Sequence, residues 1–213
     1  MELITFVTGP LENNSYLAIE HQHCVLFDAP IQSFEQIDNY ISNHHIELKA
    51  IILTHTHFDH IVDLSLFSKK YTPPIYVHQA DAYRLLNPMD ELPTWITLDI
   101  EPVNPTEYVN DGEILEIENM FFKIIHTPGH TQGGICVELI GENKIITGDT
   151  LFNLGVGRTD LPSGNSFELI RSITDKLMVY PEDFEIFPGH GGKSTIGIEK
   201  KFNPFLKDRN WVN

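Results

Sequence analysis

Only two cysteines, Cys24 and Cys136, occur in 213 residues, and no C-x-x-C pair is present. Each lies in an apolar, strand-like run. That pattern reads as a small buried thiol in a reducing compartment, not as a disulfide or a nucleophile. Basic residues are also scarce: 14 Lys and Arg stand against 30 Asp and Glu, a formal charge of -16. Such a chain repels phosphate backbones and anionic surfaces, so neither nucleic acid nor a membrane is an expected partner. Long apolar runs are missing, and no window approaches the ~18 residues of a membrane span. Residues 1–10 lack a basic start, and their apolar run stops at Gly9-Pro10, too short for a signal peptide. The expectation is a soluble, cytoplasmic protein. No Gly-x-Ser-x-Gly elbow is present to supply a serine nucleophile.

What is there is compatible with one domain over residues 1–213, with an ordinary 41% of hydrophobic residues to build a core. Residues 2–8, 15–20 and 23–27 alternate and are rich in β-formers, a meander turned at Gly9-Pro10 and His21-Gln22. Ser33-Phe34-Glu35-Gln36 reads as a capping box opening a helix with Phe34, Ile37 and Ile41 on one face, widened by Tyr40 and His44. Residues 48–53 and 75–77 read as strands, 79–86 as a helix, and 87–105 as an irregular rim. In the second half, 113–118 pairs with 121–126, and 134–139 pairs with 144–147. Asn165 caps a helix with Glu168 at its third position and an apolar stripe of Phe167, Ile170, Ile173 and Leu177. Residues 184–187 form a last strand. The repeated order of strands, helix, strand and loop predicts an α+β fold, a four-layer αββα sandwich.

The chemistry concentrates in Thr54-His55-Thr56-His57-Phe58-Asp59-His60. An apolar strand precedes this stretch, and apolar residues at helical spacing (61, 64 and 67) follow it. In an extended strand end, His55 and His57 point the same way, while Asp59 and His60 follow at the turn. Packing does not account for three imidazoles and a carboxylate in six residues, whereas a metal site does. Asp28, at the end of the third strand, reads equally as a turn residue or as a carboxylate beneath the metal loop.

Three more candidates follow strands, each directly after a glycine: His130 in Thr-Pro-Gly-His-Thr, Asp149 in Thr-Gly-Asp-Thr-Leu-Phe and His190 in Phe-Pro-Gly-His-Gly-Gly. With His55, His57, Asp59 and His60 they make seven ligands, too many for one ion and suited to two if a carboxylate, Asp149, bridges. The donors are all N or O. They suit zinc, iron or manganese, and the donors alone do not choose among them; zinc is the expected metal.

These motifs, together with Asn14-Ser15-Tyr16 and Asn203-Pro204-Phe205 at the two ends, resemble the metallo-β-lactamase superfamily, and within it the glyoxalase II (hydroxyacylglutathione hydrolase) branch. The resemblance implies that His55, His57 and His130 hold one metal, that Asp59, His60 and His190 hold the other, and that Asp149 lies between. It also implies hydrolysis of a small thioester such as S-lactoylglutathione, with Asp59 as a metal ligand able to serve as base. The long glyoxalase II enzymes add a C-terminal helical domain, whereas here only residues 191–213 follow the last ligand. Residues 157–162 and 191–200 resemble the short single-domain bacterial relatives. Arg158 and Lys193, with Lys200 and Lys201, are candidates for a substrate carboxylate, or else solvated surface charges. The alternative on the same fold is a single-iron persulfide dioxygenase.

Overall fold

In the computed structural model, which describes residues 1–92 and 96–207, the opening meander forms as the alternation requires. Strands β1 (Glu2–Thr8), β2 (Asn13–Glu20) and β3 (His23–Phe27) pair antiparallel in sequence order. The topology then changes. Helix α1 (Ser33–His44) carries the chain to β4 (Glu47–Ile52), which lies parallel to β3. Helix α2 (Leu64–Tyr71) does the same for β5 (Ile75–His78), parallel to β4. After α3 (Ala82–Leu86), β6 (Glu107–Val109) adds parallel to β5 and completes a sheet in the order β1-β2-β3-β4-β5-β6. A parallel neighbour needs a crossover, and the amphipathic 33–44 and 64–71 segments supply it. Residues 87–106 contain no helix or strand among those described, as expected for a rim; Pro93, Thr94 and Trp95 of that stretch lie outside the described residues.

Those crossovers also cover the sheet. Leu17, Leu26, Ile51 and Leu53 pack with Ile37 and Ile41 of α1, Leu64 and Phe67 of α2, and Leu85 of α3. The alternate residues Ala18, Val25, Phe27 and Ile52 are buried as well, so the central strands are apolar on both faces. Helix α1 starts as expected but not by the expected device. Its N-cap is Gln32, in a left-handed conformation with no side-chain cap, and Ser33 is already helical. The exposed amides are met from outside the helix by Asp63, whose carboxylate accepts the Phe34 N–H at 2.9 Å. Burial pushes the Asp63 carboxyl upward, and the N–H groups of Phe34, Ser33 and Gln32 oppose that shift. A carboxylate is the stronger acceptor for a helix start, which is why it displaces the capping box.

The chain divides into two compact units: Met1–Val109 with Glu116–Met120, and Asn110–Leu115 with the residues from Phe121 on. Along the chain, β7 (Ile114–Ile117), β8 (Met120–His126), β9 (Ile135–Leu139) and β10 (Lys144–Gly148) follow in turn. A short hairpin, β11 (Leu151–Phe152) and β12 (Gly155–Val156), leads to α4 (Ser166–Ser172) and a π-helical turn at Ile173–Leu177. Strands β13 (Glu185–Pro188) and β14 (Ser194–Thr195) precede α5 (Ile196–Phe202) and α6 (Pro204–Lys207). The sheet order is β14-β13-β10-β9-β8-β7, with β10 and β13 parallel. Asn165 caps α4 as predicted, its side-chain oxygen accepting the Glu168 N–H at 3.1 Å. The stripe differs from expectation: Leu169, Ile173 and Leu177, four residues apart, pack on Ile125, Ile145 and Ile186, whereas Phe167 is 54% exposed. Both units follow the α+β plan, each a mixed sheet with its own helices. Among the described residues no helix is long and apolar enough to cross a membrane.

Both cysteines are free and buried within these cores. Burial, with the Glu47 carboxylate adding to it, pushes the Cys24 thiol up to about 12, and burial pushes Cys136 up to about 11. The thiolate is the reactive form, so neither thiol should react with a disulfide reagent in the folded protein at pH 8. Titration with such a reagent should give no fast-reacting thiol before denaturant is added and two after.

Candidate metal centre

The parallel strands decide where the chemistry lies. Strands β3, β4 and β5 are neighbours running in one direction, so the loops after them leave the same edge of the sheet. Those loops carry Asp28, then the Thr54–His60 stretch, then Asp81. Asp28 has a left-handed backbone (φ 56°) and is buried, so it is both the turn residue and the carboxylate beneath the loop. Its Oδ1 accepts the Thr54 N–H at 2.8 Å, and its Oδ2 accepts the Thr54 hydroxyl at 2.7 Å. Oδ2 also lies 2.9 Å from His60 Nδ1. Because the Thr54 hydroxyl gives its proton to Asp28, the 3.2 Å contact between Thr54 Oγ1 and His55 Nδ1 has the imidazole as donor. Both histidines thereby carry their proton on Nδ1, which makes Nε2 the lone-pair nitrogen a metal needs.

The rings are close. His55 stands 4.9 Å from His57 and 4.1 Å from His60 between ring centroids. One ligand atom each from Asp28, His55 and His60 lies within 4.8 Å of the others. His55, His57 and His60 are buried and Asp59 partly so. The Asp59 Oδ2 is held by the Asn13 side-chain amide at 3.0 Å and lies 3.8 Å from His60 Nε2. Asn13, the first residue of β2, carries no signal in the sequence, since an amide at a strand start reads as a turn residue.

The second unit repeats the device. Strand β9 is antiparallel to both β8 and β10, and β13 is parallel to β10, so β8, β10 and β13 all run the same way. Their ends deliver His130, Asp149 and His190 to one place. His130 Nε2 is 3.5 Å and His190 Nε2 is 3.6 Å from the same Asp149 oxygen, Oδ2. These separations are long for hydrogen bonds. They suit donors sharing an ion, because two ligands at ~2.1 Å from one tetrahedral metal stand about 3.4 Å apart. His130 Nδ1 donates to the Arg158 carbonyl at 2.7 Å, which again leaves Nε2 as the ligand nitrogen. The Asp149 and His190 loops are tied together by the Gly189 N–H to the Gly148 carbonyl at 2.9 Å. Behind them the buried Glu199 carboxylate accepts the Leu154 N–H at 3.0 Å, the Asn203 amide at 2.8 Å and the Ser194 hydroxyl.

Two glycines allow this approach. A Cβ on Gly129 (φ 134°) would lie 2.2 Å from the Leu169 nitrogen of α4. A Cβ on Gly157 would fall 1.9 Å from the Asp149 carbonyl oxygen and 3.0 Å from His130 Nδ1. The candidate substrate cations are placed differently. The Arg158 side chain is exposed and doubly bonded to Asp160, with both contacts at 2.8 Å, and this partner holds the Asp160 carboxyl down at about 2. Lys193 is likewise exposed and paired with Glu185, and Lys200 donates to the Tyr180 carbonyl at 2.9 Å. Each charge must exchange a partner before it meets a ligand.

A family model, the metallo-beta-lactamase superfamily, matches residues 8–190. The chain is 34% identical to a probable metallo-hydrolase, YqgX of Bacillus subtilis, over 93% of this chain and 94% of that one. It is 32% identical to the hydroxyacylglutathione hydrolase GloC of Haemophilus influenzae, over 95% and 96% of the two chains. Its fold matches the crystal structure of TTHA1623 in a di-iron-bound form with a TM-score of 0.86, at 28% identity over 95% of this chain and all of that one.

Two substitutions test the geometry. Asp28→Asn keeps the size of the side chain but sets an amide N–H against His60 Nδ1, which favours the proton on Nε2. Metal affinity should fall 10–100-fold by chelator competition, the range for loss of such a supporting partner, with an unchanged circular dichroism spectrum. Unchanged affinity would show that Asp28 does not set the tautomer. Gly157→Ala should lower stability by about 1–3 kcal/mol in urea denaturation, because the added Cβ would overlap the Asp149 carbonyl and force the backbone apart. Stability equal to wild type would contradict the close approach.

Proposed function

The chain belongs to the metallo-beta-lactamase superfamily of metal-dependent hydrolases, and on that premise we propose that it hydrolyses a small thioester at a dinuclear centre. The observation that carries the reading is the shared Asp149 oxygen, with His130 and His190 disposed about it at 3.5 and 3.6 Å. We assign His55, His57 and His130 to one ion, Asp59, His60 and His190 to the other, and Asp149 to both. This division follows the family resemblance and the donor chemistry of the loops. Zinc is the first candidate. Imidazole and carboxylate donors accept iron and manganese as well, and a relative is known in a di-iron form.

Bound metal would supply a hydroxide near neutral pH and polarise the carbonyl under attack. The protein's own part is to fix and exclude. The Asp28 and Arg158 contacts hold His60, His55 and His130 in the ligating tautomer. Asn13 orients the Asp59 carboxylate, to which we assign the roles of ligand and proton acceptor. No separate general acid is required if the leaving group is a thiolate, whose parent thiol has a pKa near ~8.5. An amide would need one to protonate its amine. That difference, and the likeness to a hydroxyacylglutathione hydrolase, favour the thioester. Anchoring of a substrate carboxylate by Arg158 or Lys193 belongs to the same proposal and would require displacing Asp160 or Glu185. A reducing cytoplasm is the setting we propose for two buried thiols.

Steady-state assays of the zinc-loaded protein on S-lactoylglutathione, acyl-coenzyme A and simple thioesters should find hydrolysis of at least one. Failure on all of them, with oxygen uptake by iron-loaded protein on glutathione persulfide, would replace the hydrolase with a dioxygenase. Metal titration adds a second check. Wild type should take up two ions, Asp149→Ala should weaken both, and His190→Ala chiefly one. Equal loss of a single ion in both variants would remove the bridging role.

A further inference from the structure

The ligand loop of the first unit is held on two sides, and only one side is the Asp28 turn. Thr56 lies between His55 and His57. Its N–H donates to Asp81 Oδ2 at 3.3 Å and its hydroxyl to the Asp81 carbonyl at 2.8 Å. Asp81 is fully buried at the start of α3, and its other carboxylate oxygen accepts from Arg84 Nη1 at 3.0 Å. Arg84 is 3% exposed, and its Nε donates to Glu91 Oε2 at 2.7 Å. The second Glu91 oxygen accepts the Tyr83 hydroxyl at 2.8 Å, and the guanidinium lies 4.6 Å over the Tyr83 ring. Three charged groups thus run in line from the backbone between two candidate ligands to the start of the rim.

An ionic chain with Asp81 and Arg84 buried and Glu91 partly exposed is a poor way to gain stability. Apolar side chains of similar volume at 81 and 84 would avoid the desolvation of two buried charges. What the charges add is direction. The planar guanidinium presents Nη1 and Nε at a fixed angle, so the position of Glu91 determines that of Asp81, and Asp81 determines the Thr56 peptide. We propose that Asp81, Arg84 and Glu91 form a positioning relay through which residues 87–92 hold the ligand loop in its metal-binding shape. The inference rests on the reading that this loop binds metal. Coupling of this kind is reciprocal: if the rim segment steadies the ligands, metal binding must steady the rim segment.

Hydrogen exchange on the full chain reads the second half of that statement. The Asn87, Asp90 and Leu92 amides donate to Tyr83, Asn87 and Met89 carbonyls at 3.0, 3.2 and 3.3 Å. Zinc loading of the wild-type protein should slow their exchange. Chelator competition reads the first half. Glu91→Ala should weaken zinc binding about tenfold, the lower end for loss of a supporting partner. Glu91→Gln should restore most of it, since an amide oxygen still accepts from Arg84 Nε, a recovery that loss of general stability would not show. Equal zinc affinity in Glu91→Ala and wild type, or unchanged exchange of the three amides on zinc binding, overturns the relay. If the alanine variant does not fold, the wild-type exchange comparison decides alone. Slowed exchange in a zinc-loaded protein inert to thioesters supports the relay and sinks the thioester reading. A wild-type chain that takes up none of zinc, iron and manganese sinks both.

Discussion

The Asp28 carboxylate is the contact on which the ligand loop of the first unit depends. One buried side chain accepts the Thr54 amide, the Thr54 hydroxyl and the His60 imidazole. In doing so it closes the end of β4 into a tight loop and selects the imidazole tautomer. The hydroxyl link passes that selection on to His55. A buried carboxylate is stable only when its lone pairs are met, and here each partner is a group that a metal site needs held. The desolvation cost of the charge and the order of the loop are therefore one arrangement. The second unit uses a backbone carbonyl, that of Arg158, for the same task at His130.

Strand direction is the larger constraint behind both. Parallel strands put the ends of successive strands, and the loops that follow, on one edge of a sheet, the place where ligands gather in open α/β sheets. Asp28, Thr54–His60 and Asp81 come from three such ends. His130, Asp149 and His190 come from three more, two of them on the adjacent parallel strands β10 and β13. The antiparallel meander β1-β2-β3 contributes differently. It delivers Asn13 at a strand start, where the amide reaches Asp59. The side chains that could meet a metal are thus placed by topology, and their neighbours set their protonation.

Close approach in the second unit depends on the absence of side chains. Gly129 packs its backbone against the start of α4 and Gly157 against the Asp149 carbonyl. Any larger residue would separate elements that now touch. The buried Glu199 then ties the β11–β12 hairpin to the short C-terminal helices. Residues 196–207 lie after the last candidate ligand, yet through this carboxylate they brace the loops that carry Asp149 and His190.

Local pattern alone determined a good deal. The β2, β3 and β4 runs, the Asn165 cap and the seven imidazoles and carboxylates in strand-end loops are legible from spacing and residue type, because period and turn chemistry are local properties. The α+β class follows from the order of those elements. What the tertiary structure alone decided is everything that joins residues distant in sequence. Asp63 and not Ser33 meets the amides at the start of α1, since a buried carboxylate thirty residues away outcompetes a local hydroxyl. Phe167 points to solvent because the face of α4 that meets the sheet is set by Leu169, Ile173 and Leu177. Whether Asp28 was a turn residue or a supporting carboxylate had no local answer, and neither Asn13 nor Asp81 carried a signal. Their roles arise from the neighbours that strand pairing gives them, and pairing is a non-local interaction that no window of sequence contains.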